Sequence, residues 1–173
     1  VSMETKITNL NPTVIVAAIF FGFILLEMIL GRFFQPKGER RDALLETIGS
    51  TLLLGVTVPA ITFLSASLMS VFFPELKGSL ASIPWLAGFA LFLLLDDMTQ
   101  YWWHRLAHRV PWLYDLHRAH HSAKYMSIRI VYRNNSFYYL LMPGIWLSGI
   151  LIYMGLAHVY FVYLIIKLSV IFG

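Results

Sequence analysis

The sequence predicts an all-α fold: a polytopic transmembrane helical bundle with a histidine-rich helical cap facing the cytosol. Three observations predict it. The 173 residues are 58% hydrophobic and 13% charged, where a soluble domain carries roughly 45–50% and about 25%. Long stretches lack charge almost entirely, giving a mean hydropathy of +0.70. Five of the six histidines fall between His104 and His121, at helical spacings.

The apolar stretches set the spans. Residues 13–31 contain one charge, Glu27; residues 52–73 and 78–95 contain none; residues 136–166 lack Asp, Glu, Lys and Arg and hold only His158 among the histidines. A bilayer-crossing helix takes about 20 apolar residues. The first stretch is too long for a signal-peptide core and other spans follow it. The last is too long for one crossing: at about 1.5 Å per residue it would reach on the order of 46 Å, against a hydrocarbon core of about 30 Å. It is therefore read as a helical hairpin turning at Gly155. The spans are placed at 13–34, 48–73, 79–103, 137–153 and 157–173, all in one membrane domain covering 1–173. Pro59 and Pro143 are expected to kink their helices.

Charge sets the orientation. Arg32, Lys37, Arg40 and Arg41 lie between the first two spans, and Arg105, Arg109, Arg118, Lys124, Arg129 and Arg133 between the third and fourth. The positive-inside rule puts both segments on the cytoplasmic side. The histidine-rich segment 104–133 then faces the cytosol, in an inner bacterial membrane or the endoplasmic reticulum. Lys167 is expected to snorkel to the same interface. The basic residues border apolar runs, so nucleic acid is not a partner. With no cysteine, disulfides and thiolate metal sites are excluded.

The histidines carry the chemistry. His104 and His108 are four residues apart and share a helix face; His117, His120 and His121 follow at i, i+3 and i+4 and share another. Two such faces brought together make a metal site of neutral imidazoles. Asp97, Tyr101, His104 and His108 form one stripe, so Asp97 and Tyr101 are placed to receive the second ring N–H of a ligating histidine. Asp96 is one residue off the stripe. Arg105 and Arg118 flank the imidazoles and are read as binding lipid phosphate or pairing with Asp97 and Asp115. His158, near the hairpin turn, and Glu27 are read as structural. Iron, zinc and copper all suit nitrogen and oxygen ligands. Five histidines exceed the three protein ligands usual for one catalytic zinc, which suggests two metals or one metal with further ligands.

The run Asp97-Met-Thr-Gln-Tyr101-Trp-Trp-His104-Arg-Leu-Ala-His108, followed by His117-Arg-Ala-His120-His121, resembles the fatty acid hydroxylase/sterol desaturase superfamily of integral membrane di-iron enzymes. The run Ser127-Ile-Arg129-Ile-Val-Tyr-Arg133-Asn134 is similar to the family's segment after its second histidine box. The resemblance implies a membrane-bound oxygenase that uses two non-haem iron ions, dioxygen and external electrons to hydroxylate or desaturate a sterol, fatty acyl or carotenoid lipid. It implies His104, His108, His117, His120 and His121 as metal ligands, and a separate haem, iron–sulfur or flavin protein as electron donor. Family members carry a third histidine box after the hairpin. The first residue is Val1 and the sequence stops at Gly173 within an apolar run, so the domain is expected to continue further, and the piece as given to be inactive. The alternative is a non-catalytic metal-binding or scaffold protein of the same family.

Overall fold

The computed structural model describes residues 12–31, 40–123, 130 and 133–172. Arg32, Lys37, Lys124, Arg129 and most of the 127–134 run lie outside the described residues. Among the described residues the chain is helical, with no strand. Helix α1 (Pro12–Ile29) is followed by α2 (Arg40–Leu52), a π-helical turn (Leu53–Thr57) and α3 (Val58–Phe72). A short 3-10 turn (Pro74–Leu76) leads to the long α4 (Trp85–Ala107) and to α5 (Pro111–His121). The chain closes with α6 (Ser136–Leu140), α7 (Pro143–Leu151), a second π-helical turn (Ile152–Leu156) and α8 (Ala157–Phe172).

Two helical runs, Asp42–Phe72 and Ser136–Lys167, are long and apolar enough to cross a membrane by length and composition. The outer faces carry many bare apolar side chains: Phe63 is 76% exposed and Leu86 72%, with Ile29, Val71 and Phe72 similarly bare. A water-soluble fold buries such residues, whereas a bilayer solvates them. Helix α4 is apolar only as far as Leu95, because Asp96, Asp97 and Gln100 follow.

Proline shapes the first long run without breaking it. Pro59 has no N–H to continue the ladder. The helix widens just before it, where the Val58 N–H reaches back to the Leu53 carbonyl, five residues away. This turn presents Leu53, Leu54 and Val58 to the central cavity.

In the second run, Gly155 adopts φ 114°, a conformation that L side chains rarely take, and a Cβ there would stand 2.8 Å from the Ala81 nitrogen. The chain folds back at this point. Gly144, at the start of α7, lies against Asp96 and Thr99 of α4, and Leu151 shares a core with Phe92, so α7 runs antiparallel to α4. Helix α8 runs parallel to it, with Val159 against Gly88, Tyr163 against Phe92 and Lys167 bonded to Asp96. Helices α7 and α3 approach closely at Gly149. A Cβ there would overlap the Thr62 carbonyl oxygen and sit 2.7 Å from Ser65 Oγ. Ser65 donates across the same crossing to the Trp146 carbonyl at 2.6 Å.

Two cores result. Phe92, Leu151, Leu156, Val159 and Tyr163 pack at the Gly155 end. Leu53, Ala107, Leu113, Tyr138 and Tyr139 pack at the histidine end.

Candidate metal centre

Local sequence brings the two histidine pairs together. His104 sits in the last turn of α4, and His108 caps it, its N–H donating to the His104 carbonyl at 3.2 Å. Pro111 prevents the helix from continuing and holds Val110 extended at φ −102°, ψ 114°. Proline is also favoured as the first residue of a new helix, so α5 starts at once. Ala107 and Leu113, both buried, belong to the core that joins the two helices. Only residues 108–110 separate α4 from α5.

Across this corner the imidazoles converge. One ring nitrogen from each of His104, His108, His117 and His121 lies within 4.8 Å of the other three. His104 and His108 Nε2 are 3.1 Å apart, as are His117 and His121 Nε2. An ion with bonds of about 2.0–2.1 Å to nitrogen fits that span with small side-chain shifts. His117 is buried, while the other three are exposed. The fifth histidine, His120, stands beside this group, its ring 5.3 Å from His117 and 5.2 Å from His121.

The tautomers of two rings are set by neighbours that spacing did not single out. Asn134 Nδ2 donates to the Tyr139 hydroxyl at 3.1 Å, which leaves Oδ1 to accept from His117 Nδ1 at 2.9 Å. His120 Nδ1 donates to the Ile130 carbonyl at 3.0 Å. Both rings therefore offer Nε2 as the unprotonated nitrogen. His117 also stacks on Tyr138, with centroids 4.9 Å apart. Asn134 is itself anchored, because Arg133 donates to buried Glu46 at 2.9 Å and so ties the segment to α2.

Burial pulls the His117 pKa down to about 4, helped by His104, His120 and His121 and opposed by the Asn134 hydrogen bond. Burial and then the neighbouring His108, His120 and His121 lower His104; burial and then His120 and His108 lower His121. At neutral pH these rings are uncharged, the form a metal requires.

Other expected residues lie elsewhere. The Tyr101 hydroxyl accepts from Arg105 at 2.6 Å, and the Arg105 guanidinium also covers the Trp102 ring at 5.6 Å. Asp97 is exposed and makes no hydrogen bond or ion pair with a described residue. Arg118 meets Asp115 at 3.6 Å, both exposed. His158 Nδ1 donates to the Gly155 carbonyl at 3.2 Å, and Glu27 is buried. Lys167 does not snorkel outward but turns into the bundle towards Asp96, because a buried carboxylate is the stronger attraction.

A cavity of about 270 Å³ opens beside the imidazoles. His104, His117 and His120 form one end of it, and Leu53, Val58 and Ile145 contribute apolar wall.

An all-α protein with lipid-exposed apolar faces and a multi-histidine cluster against an apolar cavity defines the class. Residues 89–173 match the family model described as fatty acid hydroxylase, in agreement with the resemblance of the histidine segment to the fatty acid hydroxylase/sterol desaturase superfamily. No solved structure matches the chain.

Proposed function

We propose that the protein is a membrane-bound oxygenase with two non-haem iron ions that hydroxylates or desaturates a lipid, with electrons from a separate haem, iron–sulfur or flavin protein. The observation that carries this reading is the convergence of four imidazole nitrogens, two of them from rings that also line a largely apolar cavity, His104 and His117. A lipid chain fits an apolar cavity, and a C–H bond placed beside the cluster is where a bound metal would act. His104, His108, His117 and His121 would hold metal, with His120 as a fifth ligand beside them. When bound, iron supplies the dioxygen activation that no side chain provides. The chain's own residues do the rest. Asn134 and the Ile130 carbonyl hold ring nitrogens in the ligating tautomer. Tyr138 fixes the His117 ring, and the aliphatic wall keeps water from the reacting carbon.

The test is lipid oxidation under labelled dioxygen, with iron counted per chain. For the protein at its natural length, about two irons per chain and labelled product are expected. His104→Ala should lose the product and insert normally in the membrane; a variant that still turns over would overturn the ligand assignment. We further propose that the cluster faces the cytoplasm, as the basic segments require. The native chain has no cysteine, so a single thiol at exposed Ser122 reports the side. Ser122→Cys should react with an impermeant maleimide only when the cytoplasmic face is open to it.

A further inference from the structure

The apolar wall of the cavity is interrupted by a buried ion pair that the histidine cluster does not use. Lys167 Nζ donates to both carboxylate oxygens of Asp96, at 2.8 and 2.9 Å, and Gln100 Nε2 donates to Oδ2 at 2.8 Å. Asp96 is 5% exposed. Tyr163, 2% exposed, stands beside it, with Lys167 Nζ 5.6 Å from its ring centroid. The buried Tyr163 hydroxyl lies beside the Asp96 carboxylate but makes no well-formed hydrogen bond among the described residues. Asp96, Gln100, Tyr163 and Lys167 all line the cavity.

A buried ion pair is weak as a source of stability, and ionisable groups at membrane depth mark ligand paths. A buried hydroxyl without a well-formed hydrogen bond adds a further cost to folding. All three observations point to a ligand with a polar group at this place. Its chemistry follows from the charges. The pair is neutral as a whole. A carboxylate would meet Asp96 and an ammonium would meet Lys167, each a like charge in a poorly screened site. A hydroxyl suits both sides, because it donates to a carboxylate lone pair and accepts from Tyr163 or from the third Lys167 proton. We propose that this cluster is a polar subsite that receives the hydroxyl of a lipid alcohol, an assignment that, for the substrate, rests on the oxygenase reading above.

The subsite also sets a register. Asp96 and His104 are eight residues apart on α4, about 12 Å along the axis. A lipid anchored by its hydroxyl places a carbon far from that oxygen beside the imidazoles, so oxidation is remote from the hydroxyl.

Photoaffinity labelling in nanodiscs tests this without metal or turnover. Three long-chain probes of equal length carry a diazirine at the far end and differ only at the other: alcohol, carboxylic acid or methyl. The alcohol should label the cavity residues roughly tenfold more than the other two. Tyr163→Phe, which removes one oxygen, should cut that preference about fivefold. The double variant Asp96→Asn with Lys167→Met should abolish it; should that variant fail to fold, Tyr163→Phe alone decides. Equal labelling by alcohol and methyl probes, a preference for the acid, or an unchanged preference in Tyr163→Phe would overturn the subsite. An alcohol preference in a protein that oxidises no lipid would leave the subsite standing and remove the oxygenase reading.

Discussion

Replacing Asn134 by Ala removes a residue that touches no metal yet should weaken metal binding. Asn134 Oδ1 accepts the His117 Nδ1 proton at 2.9 Å, and its other end is held by Tyr139 at 3.1 Å. Without it, the buried His117 ring loses the bond that fixes its tautomer and its rotation. Partners of this kind are worth about 10–100-fold in metal affinity, or about 1.4–2.7 kcal/mol. Stranding the Nδ1 donor costs a further 1–3 kcal/mol or so of stability. The sign of the electrostatics separates this from simple protonation. The Asn134 bond raises the His117 pKa, and burial lowers it to about 4. Losing the bond lowers the pKa further, so the ring in the variant is still neutral at pH 7. The affinity deficit should therefore be flat between about pH 6.5 and 8. Cobalt titration of the detergent-solubilised protein, followed by visible absorption, reads it directly. Asn134→Asp keeps an acceptor and should retain most of the affinity. Native affinity in Asn134→Ala, or a deficit that disappears as the pH is raised, would refute the orienting role.

Two further outcomes follow from geometry and charge. Gly149→Ala should separate α3 from α7, because the new Cβ meets the Thr62 carbonyl and Ser65, neither of which can swing away; the loss should reach the upper end of the 1–3 kcal/mol or so typical of overpacking, read as a drop in thermal stability in detergent. The metal-free protein should lose stability in acid. His117 binds its proton near pH 4 when folded and near 6.5 when unfolded, so the unfolded state holds more protons between those values. Stability is full above pH 6.5 and declines as pH falls towards 4.

Local spacing made the histidine pairs legible. His104 with His108, and His117 with His121, are one helical turn apart, and the corner between them is encoded by Pro111 within the same short segment. The Gly155 turn was legible because a span cannot exceed the bilayer by half. What spacing could not give was contact between distant segments. A helical stripe through His104 points to Asp97, but it says nothing of which neighbour each face will meet. The buried carboxylate is Asp96, because Lys167, 71 residues on, arrives on its side of α4. Asn134 was equally hidden: a single Asn carries no periodicity, and its role emerges only when α6 places Tyr139 behind it. Pro59 was read as a kink, and the π-helical turn that carries the helix past it depends on backbone detail that composition does not encode.

The short α4–α5 corner has a consequence for biogenesis. All four converging imidazoles come from 18 consecutive residues, 104–121, whereas the cavity beside them needs α7 and α8, which are made later. Contacts close in sequence form before distant ones, and synthesis proceeds from the N-terminus. The corner that carries the imidazoles is thus assembled while the cavity still lacks two of its walls. On the proposed reading, metal would enter through an open side that the hairpin later covers, and the same hairpin delivers Lys167 to Asp96.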